Sequence, residues 1–220
     1  MNQVKRVVIW GASGHARVVR EALGDNGPPV VAVFDRAKVE PPFSDVPLYT
    51  GADAFEQWAA ADQSSGDCDL GFVIAIGGVR GSDRLDLHQR LTESGLSPIS
   101  VVHERAFVAT GASCGPGAQI LALAALCEGA SIGAQTILNT AATVDHECVI
   151  GDGVHIGPGA HVAGLVNVGD LAFIGIGAAV LPRVRIGTGA VIGAGAVIRD
   201  DVPDYATMVG NPARQIGHPT

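Results

Sequence analysis

Hydrophobic and polar positions follow two different periods along the chain. From about residue 4 to residue 102, short apolar runs alternate with amphipathic segments. The apolar runs predict strands and the segments between them predict helices, an alternation typical of a small parallel α/β sheet. The predicted strands are 7–10, 30–34, 70–76 and 99–102, and the predicted helices are 16–23, 52–61 and 82–93.

From Val108 onward, an aliphatic residue recurs at every sixth position. Fifteen of the sixteen positions from Val108 to Ile198 hold Ile, Leu or Val, and the other holds Cys114. The fourth residue after each of these anchors is Ala, Thr, Val or Cys, and the residue directly after the anchor is often Gly. This period fits neither an amphipathic helix nor an alternating strand and predicts a parallel β-helix. Each hexad would form one side of a three-sided prism, so residues 18 apart would stack about 4.8 Å apart.

The two periods predict two domains. Residues 1–102 would form a Rossmann-like domain with a small parallel sheet, and residues 103–220 would form the β-helix with a C-terminal extension from Pro203. We expect the first domain to cap one end of the prism and glycines to form its tight corners. Flat, weakly charged sides need neighbours, so we expect self-association, with three copies around an axis.

Composition and charge narrow the classes of function. The 220 residues are 47% hydrophobic and 16% charged, with 30 glycines, which indicates a globular, turn-rich chain. A formal charge of −8 without a Lys/Arg run disfavours binding to nucleic acid or an anionic membrane. The sequence has no long apolar span and no cleavable leader pattern, so we expect no membrane insertion and a cytoplasmic location. Four widely spaced cysteines predict reduced, mostly buried thiols.

Several motifs together resemble one enzyme family. The six-residue period resembles the left-handed β-helix, or hexapeptide-repeat, acyltransferases. The segment 8–19, VIWGASGHARVV, resembles the opening of the sugar O-acyltransferase family, which includes the sialic acid O-acetyltransferases and the N-acetyltransferases of UDP-4-amino-sugars and GDP-perosamine. Further matching motifs are AIG at 75–77, TVDHE at 143–147, VHIGP at 154–158 and GNPAR at 210–214.

This resemblance implies a function as well as a fold. It implies transfer of an acetyl group from acetyl-CoA, without a metal, to the amino group of a nucleotide-linked sugar. It also implies that the first domain binds the nucleotide sugar and that the enzyme is a homotrimer.

A glycine loop, Gly11-x-x-Gly14-His15, separates the first predicted strand from the first helix. Such a loop lets the backbone approach a phosphate, and the helix N-terminus offers free N–H groups. The third glycine of the dinucleotide fingerprint is missing, which disfavours a redox cofactor. Asp35 could instead be a turn residue at a strand end, and His15 could be a solvated helix residue. The resemblance gives these substrate-binding candidates: Gly11, Ser13, Gly14, His15, Asp35, Arg36 and Gly77.

Acetyl transfer to an amine needs a base, because a protonated amine is not a nucleophile. An imidazole suits this task since its ordinary pKa lies near neutrality. The resemblance assigns His146 as the general base and Glu147 as the acceptor that orients it. Adjacent residues in an extended segment point to opposite faces unless a corner intervenes, so Glu128, one coil before His146, is the alternative acceptor.

The resemblance also implies the CoA contacts. It places His155 beside the acetyl group, where it could donate a hydrogen bond to the thioester carbonyl. Since His146 and His155 lie half a coil apart, we expect them to meet only across a subunit boundary. Gly164, one coil after His146, would leave room for the pantetheine arm, and arginines of the later coils would face the phosphates or solvent. The candidate CoA contacts are His155, Gly164, Ile176, Pro182 and Arg183.

Three other functions stay open at this point. The same histidine could serve O-acetylation of sialic acid or a related sugar. A β-helix could also be a non-catalytic scaffold or a sensor of sugar nucleotides. His146, His155 and His161 invite comparison with the zinc site of the γ-class carbonic anhydrases, but their spacings differ from that pattern. The residues do not indicate which nucleotide base the substrate carries, which sugar it contains or which position on the sugar accepts the acetyl group.

Overall fold

The structure is a computed structural model that describes residues 4–62 and 69–216. Its first part is a five-stranded parallel sheet with the strand order β3-β2-β1-β4-β5. The predicted strand–helix alternation is confirmed, and β3 and β5 are additions that the apolar runs did not indicate. The elements are β1 (Arg6–Trp10), α1 (Gly14–Leu23), β2 (Val30–Asp35), β3 (Leu48–Thr50), α2 (Ala54–Ala61), β4 (Leu70–Ile74), α3 (Gly81–Glu93) and β5 (Ser97–Pro98).

The second part is a three-sided parallel β-helix. The first side holds β6 (Val101–Val102), β9 (Gln119–Ile120), β12 (Ile137–Leu138), β15 (His155–Ile156), β18 (Phe173–Ile174), β21 (Val191–Ile192) and β23 (Thr207–Val209), with β24 (Arg214–Gln215) antiparallel at its end. The second side holds β7 (Phe107–Val108), β10 (Ala125–Leu126), β13 (Thr143–Val144), β16 (His161–Val162), β19 (Ala179–Val180) and β22 (Val197–Ile198). The third side holds β8 (Ser113–Cys114), β11 (Ser131–Ile132), β14 (Val149–Ile150), β17 (Asn167–Val168) and β20 (Arg185–Ile186).

Successive coils stack with the predicted 18-residue register. Ile137, for example, pairs with Gln119 before it and His155 after it. The aliphatic anchors from Ile120 to Ile198 point inward and are buried with the small residues between them, as predicted. The predicted domain boundary at residue 102 stays a prediction, although Val101–Val102 already pairs with the β-helix. Among the described residues, no helix has the length and apolar character needed to span a bilayer.

Glycines at the corners of the prism have two roles, since some adopt the left-handed backbone conformation and others allow close stacking of the coils. The left-handed backbone conformation falls three places after each anchor from Cys114 to Ile192, at positions that hold either glycine or other residues such as Glu147 and Arg183. The glycines that directly follow the anchors are needed for close stacking instead. A Cβ on Gly157 would lie 2.7 Å from the Ile174 carbonyl oxygen of the next coil. The expectation that these glycines supply the corner conformation is therefore wrong.

The first domain packs against the first side of the prism rather than capping its end. Ile137, which points outward from this side, is fully buried in one cluster with Val7 and Ile9 of the parallel sheet. At the end of the prism, the inward-pointing Val102 and Val108 stay 49% and 36% exposed. The predicted end cap is therefore wrong, because the domain covers apolar outward positions of the first side, such as Ile137, and leaves the end of the prism exposed.

Polar side chains complete this domain junction. The Gly78 N–H donates to Nδ1 of the buried His155 at 2.8 Å, and the His155 ring packs edge-on against Phe173. Burial, helped by the nearby Arg84 guanidinium and His15, lowers the pKa of His155 to about 4. The imidazole is therefore neutral in the folded protein at neutral pH.

The lowered pKa of His155 predicts acid sensitivity of the fold. The unfolded chain takes up this proton below about pH 6.5 and the folded chain only near pH 4, so the contribution to stability is complete above pH 6.5 and is lost as the pH falls toward 4. The loss should be on the order of 3 kcal/mol. Urea unfolding from pH 7.5 to pH 4.5 should show a shallower fall for His155→Gln than for the unchanged protein. Equal slopes would contradict the prediction.

Candidate functional site

A cavity of about 400 Å³ opens at the carboxyl ends of β1, β2 and β4. In an open parallel sheet, ligands bind outside the carboxyl ends of the strands. Five of the seven predicted substrate-binding residues line this cavity: Gly11, Ser13, Asp35, Arg36 and Gly77. The structure therefore brings together two loops that are far apart in sequence, the glycine loop after β1 and the loop after β4.

The glycine loop is shaped by its backbone and by Asp35. Gly11 has a φ of +107°, and a Cβ there would lie 2.5 Å from the Ala75 carbonyl oxygen, so only glycine fits between the two loops. The Asp35 carboxylate accepts hydrogen bonds from the Ala12 N–H and the Ala37 N–H, each at 2.9 Å. Asp35 is thus a turn-forming residue that also holds the glycine loop at the cavity.

Charged side chains of both signs line the cavity, because Asp35, Asp83 and Asp86 face it together with three arginines. Arg36, Arg80 and Arg90 line it, with Arg80 bonded to Asp83 at 2.5 Å and Arg90 to Glu56. Arg36 has no ion-pair partner within the described ranges. The N-cap Ser13 lines the cavity and makes no side-chain capping bond, so α1 begins at the cavity wall. Together these groups suit an anionic ligand.

His15 and Gly14 do not line the cavity. His15 Nε2 lies 2.8 Å from Oε1 of Gln119 on the first side of the prism, so His15 is not the solvated helix residue considered above. Burial, with a smaller effect of the nearby Arg84, lowers the pKa of His15 although the bond to Gln119 opposes this. The role of His15 is therefore set by the domain junction as well as by its place beside the glycine loop.

His146 lies at the corner between the second and third sides of the prism. Its Nδ1 is 3.1 Å from Glu147 Oε2, and the two side chains are 52% and 64% exposed. The adjacent residues can meet because Glu147 has a φ of +57° and forms the corner. Glu128 points away, since its carboxylate accepts the Gly111 N–H at 3.2 Å in the preceding coil. Asp145, which the sequence did not single out, accepts the His146 N–H at 2.7 Å.

Gly164 lies directly under the His146 ring. A Cβ at Gly164 would be 2.3 Å from His146 Nε2, so the imidazole occupies the space that the missing side chain leaves. Pro182 and Arg183 are exposed at the same corner one coil later, and the Arg183 N–H donates to the Gly164 carbonyl oxygen at 3.1 Å. The corner thus presents an imidazole followed by an open strip that ends at a guanidinium.

The remaining predicted CoA contacts lie elsewhere in the same chain. His155 is buried beneath the loop after β4, where its Nε2 faces the Asn139 amide at 3.0 Å. Ile176 is 58% exposed at the corner between the first and second sides. The roles predicted for these two residues stay predictions.

The candidate residues therefore form two groups on opposite parts of the prism. The first side carries the first domain, its cavity and His155. The corner between the second and third sides carries His146, Glu147, Gly164 and Arg183. In a triangular cross-section this corner is opposite the first side, so one chain does not bring its own cavity to its own imidazole.

No metal centre appears in the part of the chain that the structure describes. Within residues 4–62 and 69–216, no group of three or more His, Cys, Asp or Glu side chains could hold an ion. His161, the third histidine of the zinc comparison, bonds through Nδ1 to Thr143 Oγ1 at 2.9 Å on the second side. It lies apart from His155, which is buried on the first side.

Comparisons with known proteins match both parts of the chain. The family model "PglD N-terminal domain" matches residues 6–89, and the model "Bacterial transferase hexapeptide (six repeats)" matches residues 166–200. PerB from Caulobacter crescentus, solved with CoA and GDP-perosamine, is 34% identical over 96% of this chain and 97% of that chain, with a TM-score of 0.85. A variant described as perosamine N-acetyltransferase from Caulobacter crescentus gives 33% identity, the same coverage and a TM-score of 0.85.

Two further solved structures are similar over the same length. The acetyltransferase domain of PglB from Neisseria gonorrhoeae, with acetyl coenzyme A, is 28% identical over 96% of this chain and 99% of that chain, with a TM-score of 0.83. WeeI from Acinetobacter baumannii is 27% identical over 96% and 99%, with a TM-score of 0.81. Identity above 30% over nearly the whole chain shows the family, so the chain belongs to the hexapeptide-repeat sugar acetyltransferases, which pair a small α/β domain with a left-handed β-helix.

Proposed function

We propose that the protein transfers the acetyl group of acetyl-CoA to the amino group of a nucleotide-linked amino sugar of the UDP-4-amino-sugar or GDP-perosamine type. The observation that carries this proposal is the His146–Glu147 pair, an exposed imidazole held by a carboxylate at 3.1 Å. The similar proteins solved with GDP-perosamine, CoA or acetyl coenzyme A support the substrate classes.

The nucleotide part would bind in the cavity of the first domain. The arginines at its wall and the N-terminus of α1 can hold a diphosphate, and Gly11 lets the backbone approach it closely. The cavity, of about 400 Å³, is open to solvent, so a ligand bound in it can extend beyond its walls. The amino sugar would therefore project out of the cavity toward a base that lies outside it.

His146 would act as the general base. As the amine nitrogen forms its bond to the thioester carbon, His146 Nε2 accepts the proton that the nitrogen loses. The carbon–sulfur bond then breaks and the imidazolium returns this proton to the CoA sulfur, which releases CoA as a thiol and restores the base. Within the described residues, Nε2 has no hydrogen-bond partner of its own. Glu147 fixes the ring and stabilises the imidazolium that forms.

CoA would lie along the corner that follows His146. Gly164 keeps the path beside the imidazole narrow but open, and Pro182 and Arg183 continue it toward the phosphates of CoA. A guanidinium suits phosphate recognition because it offers planar, paired donors. His155 and Ile176 lie on other parts of the chain, so they would reach this CoA only from a neighbouring copy.

The catalytic centre would accordingly be shared between copies in a homotrimer. The cavity of one chain and the imidazole corner of that chain lie on opposite parts of the prism, so a complete site needs the cavity of one copy beside His146 of the next. The exposed Val149 on the third side and Phe107 on the second side offer apolar surface for this association. An N-acetylated nucleotide sugar is an activated precursor, and we place the reaction in cytoplasmic glycan biosynthesis.

Removal of the imidazole should abolish catalysis without unfolding the protein. His146→Ala should lower the rate of thiol release from acetyl-CoA by a factor of about 10²–10⁴ with UDP-4-amino-sugars or GDP-perosamine as acceptors. The exposed position of His146 predicts an unchanged oligomeric state by light scattering. Free sialic acid serves as the O-acetylation acceptor in the same panel. Turnover of sialic acid alone by the unchanged protein, or unchanged turnover by the variant, would reject the proposal.

The two candidate orienting carboxylates can be separated by a matched pair of variants. Glu147→Gln should lower kcat at least about tenfold, because the amide no longer stabilises the imidazolium. Glu128→Gln should leave kcat close to the original value, since that carboxylate bonds the Gly111 N–H instead. Steady-state kinetics at saturating substrates measure both. The reverse order of effects would assign the orienting role to Glu128.

The shared site predicts recovery of activity in mixed oligomers. His146→Ala lacks the base, and Asp35→Ala removes the bond that holds the glycine loop through the Ala12 N–H and the bond to the Ala37 N–H in the turn after β2. Refolding the two inactive variants together at equal amounts should restore about a quarter of the sites in a ring of three. A control mixture of His146→Ala with Glu147→Gln should show no more activity than its Glu147→Gln component has alone, because both changes lie at the same corner. Absence of recovery in the first mixture would place each site within one chain.

A further inference from the structure

A single column of outward side chains on the first side meets the first domain. The column runs through Gln119, Ile137, His155 and Phe173, one residue per coil in direct register. Outward residues of a β-helix ordinarily face solvent, but Gln119 and Ile137 are fully buried and His155 is 6% exposed. Apolar burial by Ile137 accounts for docking of the domain, so the two polar members of the column need another explanation.

Gln119 connects the prism to both loops of the cavity. Its Nε2 donates to the carbonyl oxygen of Ile74, the last residue of β4, at 2.8 Å. Its Oε1 lies 2.8 Å from Nε2 of His15 in the first turn of α1. Since Oε1 accepts, His15 carries its proton on Nε2. One buried amide therefore fixes the end of the strand that leads into the loop after β4 and the helix that follows the glycine loop.

Arg84 of α3 makes a second connection, and the sequence did not single it out. The guanidinium is fully buried and bonds only to carbonyl oxygens in the described part of the chain. Three acceptors belong to the prism and the fourth, Ile76, lines the cavity. These acceptors are Gln135 at 2.9 Å, Gly153 at 2.6 Å, Val154 at 3.2 Å and Ile76 at 3.1 Å.

A buried cation is costly unless hydrogen bonds satisfy it, and apolar residues of similar size would dock a domain at less cost. The fork of Arg84 matches the prism carbonyls and the cavity wall at the same time, which an apolar side chain or a lysine could not do. The lowered pKa of Arg84, about 10, still leaves it charged at neutral pH. The guanidinium of Arg84 thus bonds to the loop after β4, and the position of this loop sets the shape of the cavity wall.

We propose that Arg84 and Gln119 are positioning residues for the nucleotide-sugar cavity, holding its two loops in register with the rigid first side of the prism. This inference rests on the proposed function for the identity of the ligand. Neither residue lines the cavity. Arg84 acts through its bond to Ile76, and Gln119 acts through its bonds to Ile74 and His15.

The test compares Gln119→Met and Arg84→Lys with Arg20→Gln. The first two substitutions keep the approximate volume or the charge and remove the directional bonds, whereas Arg20 makes an exposed ion pair with Asp45 away from the cavity. Isothermal titration with UDP and with GDP gives the affinity directly. Gln119→Met and Arg84→Lys should each weaken binding of the nucleotide that the unchanged protein prefers about tenfold. Arg20→Gln should bind as the unchanged protein does.

Steady-state kinetics supply a readout that general destabilisation would not give. In both variants the KM for the nucleotide amino sugar should rise about tenfold. In Gln119→Met the KM for acetyl-CoA should stay within about twofold, because Gln119 bonds to His15 and Ile74 and to no residue of the imidazole corner. Equal rises in both KM values, or unchanged nucleotide binding in folded variants, would overturn the positioning role. Failure of both variants to fold would assign them to domain docking alone and overturn it as well.

The same titrations separate this inference from the proposed function. If the unchanged protein binds neither UDP nor GDP and acetylates no nucleotide amino sugar, both the function and the positioning role are wrong. If the unchanged protein binds and turns over its substrate but the variants match it, only the positioning role is wrong.

Discussion

Backbone hydrogen bonds between successive coils are the constraint on which the rest of the structure depends. Each N–H and C=O of the short strands pairs with the coil above or below, as where Ile137 N–H donates to Val154 and Asp145 N–H to Val162. This pairing fixes the register, so residues 18 apart form straight columns. The inward columns build the core, and the outward columns place chemical groups at fixed heights on three sides and three corners.

The columns explain why the candidate site is divided within one chain. The first side presents Gln119, Ile137 and His155 as one column and receives the α/β domain there, which brings the anionic-ligand cavity to this side. The column through His146 and Gly164 stands at the opposite corner. The stacked coils of the prism are rigid, so the cavity and His146 of one chain stay apart. The proposed function therefore needs a second copy of the chain to join a cavity and an imidazole.

The sequence predicted the period, the inward residues and five of the residues that line the cavity, because these follow from repetition and from glycines with a strict steric need, such as Gly11. The docking of the first domain on the first side was not predicted, although the sequence held a signal for it. Ile137 is a large apolar residue at an outward position, which indicates that another part of the chain packs over it. Arg84 escaped because an arginine on an amphipathic helix gives no sign that carbonyl groups, rather than water, surround it. The choice between Glu147 and Glu128 needed the corner geometry, which an extended segment does not reveal.

The corner geometry also explains how neighbouring residues can form a base and its orienting group. In a strand, residues 146 and 147 would point to opposite faces. The positive φ of Glu147 turns its side chain back beside the imidazole. Strain at that residue is not itself the functional signal, because Leu123, Ala141 and Leu171 occupy equivalent left-handed corners without such a pair. What distinguishes this corner is the combination of an acidic side chain at the left-handed position, a histidine before it and Gly164 beneath the ring, so that the fold gives the imidazole both an anchor and an unobstructed face.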